Sequence, residues 1–97
     1  MTTLVIEFAI VDYPSFYDLW EQDRTGRAAL GVRSYRIFRP LDDEFWVILH
    51  YEVDDVETAE KVIAALRNMF EAGPLGKIIF RPEFRVCEEV EAGSYLT

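Results

Sequence analysis

The sequence predicts an α+β domain, a four-stranded antiparallel sheet with two helices on one face. Three observations predict it. Four strand-like segments alternate with two of helical period, in the order β-α-β-β-α-β. The chain has 97 residues, enough for a single domain, 1–97, built on one core. Its composition, 51% hydrophobic and 29% charged, is that of a globular chain and argues against disorder.

Thr3 to Val11 is apolar apart from Glu7 and rich in Val, Ile and Phe, so it reads as a strand covered on both faces. Asp12 or Ser15 then caps a helix that Pro14 opens. This helix runs to about Leu30. Phe16, Leu19, Trp20, Asp23, Arg27 and Leu30 recur every three or four residues and share one face, Gly26 marks a break or kink, and Gly31 ends the helix. Val32 to Arg39 is the second strand, Pro40 to Glu44 a polar turn, and Phe45 to Val53 the third strand. Phe45, Val47, Leu49, Tyr51 and Val53 alternate with Trp46, Ile48, His50 and Glu52, which lie on the other face. Asp54 and Glu57 resemble a capping box for the second helix, whose stripe is Val56, Ala59, Ile63, Leu66 and Phe70. Gly73 and Pro74 end it. Ile78 to Glu88 is the fourth strand, in which Pro82 implies an edge position or a bulge. Glu89 to Thr97 reads as a tail, with Tyr95 and Leu96 able to dock on another surface.

This order is the ferredoxin-like, or split βαβ, arrangement. With both helices on one face, the second face of the sheet keeps Trp46 and Ile48 and is too apolar to leave wet. Sheet-to-sheet homodimerisation would cover it, and two-fold dimers are the commonest assembly.

Ten basic and eighteen acidic residues give a formal charge of −8. That charge repels nucleic-acid phosphates and anionic lipid. RNA-recognition domains share the element order, but the third strand lacks their K/R-G-F/Y-G/A opening, so no nucleic-acid partner is expected. No apolar run approaches the ~20 residues of a membrane span, and no leader-like segment opens the chain, so neither a membrane nor a signal peptide is expected. Cys87 is the only cysteine, which excludes an internal disulfide, suits a structural thiol and makes a cytoplasmic location the expectation. Arg33, Arg36 and Arg39 fall in a stretch without acids, and Pro40 to Glu60 holds eight acids without Lys or Arg. Both read as solvated faces; the sharper reading of the arginines is a ladder for an anion or an acidic partner.

Trp20, Arg27, Gly31-Val32, Tyr35-Arg36, the Asp42-Asp43 turn, Val47 to Tyr51 and the Asp54-Asp55-x-Glu57-x-Ala59 helix start together resemble the dimeric α/β-barrel superfamily. The nearest branch is the group of small proteins like the antibiotic-biosynthesis monooxygenases. The resemblance spans roughly residues 4 to 86. It implies a homodimer whose two sheets close into a barrel, with a small-molecule pocket in each protomer between helices and sheet. Members include cofactor-independent oxygenases acting on aromatic polyketides or quinols, haem-degrading enzymes, isomerases and proteins without an assigned activity. Two departures matter. The Trp-Glu-Ser-type end of the third strand is replaced by Tyr51-Glu52. The second helix carries Arg67, Asn68 and Met69 where haem-degrading members place a His, so no haem and no other cofactor is expected.

The candidate site follows. Phe16, Trp20, Asp23, Arg27 and Tyr51 are the expected substrate-binding set, an aromatic pocket with a polar corner. Arg27 would orient a substrate oxyanion or carboxylate, and Trp20 and Tyr51 would stack on a planar ring. The plain reading of Asp23 and Arg27 is a helical ion pair. Arg27, Tyr51 and His50 are the catalytic candidates. His50 is the only histidine and points away from Tyr51, toward the expected dimer barrel, where a structural role is the ordinary one. Glu7, His50 and Glu52 would make only a weak metal site, so none is expected. Glu7 needs a partner if buried, with Arg36 or His50 as the ordinary answer and a general-base role as the sharper one. No Gly-rich phosphate loop, G-x-S-x-G elbow or H-E-x-x-H helix is present. Cofactor-free oxygenation needs none of these, because the substrate's own carbanion can react with oxygen. The sequence leaves open a non-catalytic ligand-binding or regulatory module of the same fold.

Overall fold

Alternation sets the first strand. In the computed structural model, which describes residues 1–95, β1 (Thr2–Ile10) buries Thr2, Leu4, Ile6, Phe8 and Ile10 and leaves the intervening residues half-buried. β3 (Trp46–Val53) repeats the pattern, burying Val47, Leu49, Tyr51 and Val53. The two pair antiparallel with Ile6 opposite Leu49 and Leu4 opposite Tyr51, so their apolar residues form one surface. β2 (Ser34–Phe38) and β4 (Ile79–Glu88) flank them, giving the order β2-β3-β1-β4, antiparallel throughout. β4 is the edge strand that Pro82 implies. Between the pairs Glu7–Glu83 and Ala9–Phe80 the register shifts, which places a bulge at Arg81 and Pro82, with Arg81 at φ 53°.

Helices cover one face of this sheet: α1 (Tyr13–Gln22), α2 (Arg24–Leu30) and α3 (Val56–Ala72), the last followed by a 3-10 turn, Pro74–Lys77. The Asp12 side chain caps α1 at Ser15 N, and the Asp55 side chain caps α3 at Thr58 N, each at 2.8 Å. Asp55, rather than Asp54 of the expected capping box, is the capping residue. Gly31, in the left-handed region at φ 108°, closes α2 as expected.

Several expectations need correction. The first helix is two helices, so the face carries three, and the break falls at Asp23 rather than Gly26. Asp23 N donates to Trp20 O at 3.2 Å, tightening the last turn of α1, while Asp23 O accepts from Arg27 N to start α2. Phe45 stands outside β3 and is about half exposed, and Val56 likewise faces solvent. The buried stripe of α3 runs instead through Ala59 and Val62, with Ile63, Leu66 and Phe70 packed at its sides. Glu7 accepts a hydrogen bond from the Trp46 indole at 3.1 Å, not from Arg36 or His50. The arginine ladder does not converge: Arg33 pairs with Asp54 at 2.8 Å, and Arg39 donates to Glu44 O and lies over the Tyr13 ring. Tyr95 is fully exposed, and Leu96 lies outside the described residues.

Among the described residues no helix covers the opposite face of the sheet. Val5, Ala9, Trp46, Ile48 and His50 share it, with Phe38 of β2 set edge-on to His50 at 4.9 Å between ring centroids. Among the described residues no helix is long and apolar enough to cross a membrane.

Candidate functional site

Between the helices and the covered face lies a cavity of about 300 Å³. Ile6, Phe8, Leu49 and Ile79 floor it from the sheet, Phe16, Leu19 and Trp20 wall it from α1, and Leu66, Met69 and Phe70 close it from α3. Its polar groups are few: Tyr51 from β3, Gln22 and Asp23 at the end of α1, and Arg27 from α2. This is the composition of a small-molecule site, apolar walls with a few placed polar atoms, at the lower end of the usual size range.

The corner at Trp20 is built by the helix break. Ending α1 after Gln22 leaves the Trp20 carbonyl accessible, and the Arg27 guanidinium donates to it through Nη1. The guanidinium lies over the indole, 3.7 Å from its ring centroid, in cation–π contact. The indole Nε1–H donates to the Tyr51 hydroxyl at 2.9 Å. Trp20, Arg27 and Tyr51 are 6%, 7% and 1% exposed, so these bonds form away from water. Burial pushes the Tyr51 phenol up to about 12, against smaller opposing effects of the Trp20 hydrogen bond and the Arg27 charge. The phenol is therefore a neutral O–H donor at physiological pH. Burial also lowers the Arg27 pKa, while the nearby Tyr51 and Asp23 act to raise it.

Of the expected residues, Phe16, Trp20, Asp23, Arg27 and Tyr51 all line this one cavity. Asp23 and Arg27 form no direct ion pair; the Asp23 carboxylate folds back over Gly26, where an added Cβ would lie 2.2 Å from its Oδ1. Trp20 gives one ring face to Arg27 and meets the edge of Tyr35 at 4.7 Å, so its indole is held in place as a wall. His50 is not brought to this site. It sits on the uncovered face, beside Ser34, Arg36 and Glu52. Tyr35 points to the helix side, where its hydroxyl accepts from Arg24 at 3.1 Å, and Arg36 stands opposite His50 in the strand register, on the other face. Among the described residues no group of three or more His, Cys, Asp or Glu side chains is arranged to hold a metal ion.

Sequence reasoning missed the α3 wall. Met69 lies three residues after Leu66, and that spacing is the one signal that could have placed it there. Gln22 and the turn residues Gly73 and Leu75 carried no comparable signal.

Comparison with known proteins adds the fold. No family model matches the chain, and no curated protein matches it in sequence. Solved structures do match. A dimeric ferredoxin-like protein from an uncultured marine organism superposes at a TM-score of 0.71, with 19% identity over 95% of this chain and 97% of that one. SnoaB, a cofactor-independent oxygenase from Streptomyces nogalater, gives 0.74, with 15% identity over 94% of each chain. A candidate antibiotic biosynthesis monooxygenase from Deinococcus radiodurans gives 0.65, with 12% identity over the full length of both.

Proposed function

From a fold shared with dimeric ferredoxin-like proteins and with proteins like the antibiotic-biosynthesis monooxygenases, we propose that this protein is a homodimer that binds a small aromatic molecule in its helix–sheet cavity and oxygenates it without a cofactor. The observation that supports this reading is the pairing of an apolar chamber with two buried donors, the Tyr51 hydroxyl and the Arg27 guanidinium. In such a reaction a phenol or quinol loses a proton, its oxyanion delocalises to a ring carbanion, and that carbanion reduces dioxygen. A ring CH2 becomes C=O; one oxygen atom enters the product and the other leaves as water. Donors aimed at the oxyanion lower the barrier to forming it. Tyr51 and Arg27 have that chemistry, and Asp23 is the one carboxylate among the described residues lining the cavity. Phe16 and Trp20 would hold the ring. His50, on the far face, belongs to the dimer side.

Oxygen uptake with a hydroxyanthrone or a naphthoquinol tests the reading. Substrate-dependent uptake is expected, falling about a hundredfold in Tyr51→Phe and in Arg27→Lys, a loss typical of removing an oxyanion donor. Tight binding of the same compounds without uptake would establish the second reading, a non-catalytic ligand-binding or regulatory module. One feature favours that reading: no histidine reaches the cavity to serve as a base near neutral pH.

A further inference from the structure

Arg27 is a cation more than nine-tenths buried, yet no carboxylate among the described residues bonds it. The three ion pairs among the described residues belong to Arg24, Arg33 and Lys61. Taking a guanidinium out of water without an anion is costly, and a site with this feature is incomplete until something pairs with it. The bonds Arg27 does make restrict what that partner is. Nη1 is committed to the Trp20 carbonyl and one face to the indole. The Nε–Nη2 edge is left, and no acceptor among the described residues takes it. Because no side-chain N or O atom among the described residues is both sealed from solvent and unpartnered, this edge reaches accessible space. Tyr51 lines the same cavity as Arg27, and its oxygen already receives the indole proton, so its own proton is free to be donated. Two parallel N–H groups on one guanidinium edge fit the two oxygens of a carboxylate better than any single oxygen.

We propose that the cavity takes an aromatic carboxylate of one or two fused rings, the ring among Phe8, Phe16 and Leu49 and the carboxylate on the Arg27 edge with Tyr51 as the second donor. The size follows from the volume of about 300 Å³. The net charge of −8 opposes anion entry at long range, so the preference arises locally, from the fork. The proposal rests on the reading of this cavity as a site for an aromatic ligand, not on the oxygenation step, because it gives the Arg27 edge and the Tyr51 proton to a carboxylate; it adds the chemical class of the ligand. Arg27 also borders a smaller cleft with Arg24 and Arg33, where a bare anion would bind without a ring.

The test is a titration of the full-length protein with 2-naphthoate, 2-naphthamide and acetate at physiological salt, followed by the indole N–H signals in NMR. The Trp20 indole lies in the site, and the Trp46 indole, on the opposite face against Glu7, is the internal control. Naphthoate is expected to shift the Trp20 signal saturably and to bind about tenfold or more tighter than either other probe. Arg27→Lys, which keeps the charge but loses the fork, is expected to bring naphthoate down to the level of naphthamide. Naphthamide binding as well as naphthoate would overturn the carboxylate assignment and leave the aromatic cavity standing. Acetate binding as well as naphthoate would overturn it in favour of the arginine cleft. Failure of both naphthyl probes to bind would overturn this proposal and the ligand-site reading together. The wild-type comparison among probes decides the matter even if the variant folds poorly.

Discussion

Tyr51 holds the Trp20 corner together, and its contribution depends on pH. Its hydroxyl is the acceptor for the Trp20 indole at 2.9 Å in a site closed to water. Tyr51→Phe leaves that N–H unpaired and is expected to cost about 1–3 kcal/mol near neutral pH. The phenol, raised from 10.0 to about 12 in the folded chain, binds its proton more tightly there than in the unfolded chain. Its contribution is therefore complete below pH 10 and is lost as the pH rises from about 10 to 12, by roughly 2–3 kcal/mol. Urea unfolding at pH 8, 10 and 11 should show the gap between wild type and Tyr51→Phe shrinking as the pH rises. Helical spacing was enough to group Phe16, Trp20, Asp23 and Arg27, because periodicity is a local property. The indole–phenol bond was not readable, since it joins residues 31 positions apart through tertiary packing. Glu7 shows the same limit: its partner is the Trp46 indole, on the neighbouring strand but not among the charged groups that pairing rules favour.

Between elements, two glycines around α2 separate by conformation. Gly31 holds φ 108°, and a Cβ there would lie 2.8 Å from Thr58 Cγ2 on α3. Gly31→Ala is expected to destabilise by about 1–2 kcal/mol through strain at the left-handed residue. Gly26 sits inside α2, and its added Cβ would meet only the Asp23 carboxylate, which accepts no hydrogen bond and can swing away. Gly26→Ala is expected to gain up to about 1 kcal/mol from helix propensity. Opposite shifts in urea midpoint would confirm the pair, and a loss in both would refute the account of Gly26. The helix break itself was legible only as a weak signal. A glycine suggested its place, whereas the backbone turned at Asp23 so that the Trp20 carbonyl could be shared by Asp23 N and Arg27. The α3 stripe was legible from Ala59 to Phe70; it failed only at Val56, the first residue of the helix, which faces solvent, and it missed Val62, which is buried.

For the molecule as a whole, element order and alternation were enough to give the sheet and its covered face, because each rests on periods of two and near 3.6 that need no tertiary knowledge. The uncovered face is the larger question. With Val5, Ala9, Phe38, Trp46 and Ile48 together on it, the proposed dimer predicts a solution mass near twice 11.3 kDa by light scattering. Ile48→Glu places a charge in the middle of that face and is expected to give a monomer with unchanged far-UV circular dichroism. A wild-type monomer at all concentrations would remove the dimer from the functional proposal.

The bulge at Arg81 and Pro82 has a bearing on how such a molecule behaves when crowded. β4 borders the sheet on one side, but there the ladder is thrown out of register and proline offers no amide proton; on the other side β2 is only five residues long. An incoming strand finds neither margin easy to extend. In the proposed dimer, copies of the chain add face to face, where a two-fold pairing uses up the surface and growth stops, whereas rim-to-rim addition would continue into fibrils. What opposes cross-β stacking of so apolar a sheet is the shape of its margins rather than of its faces.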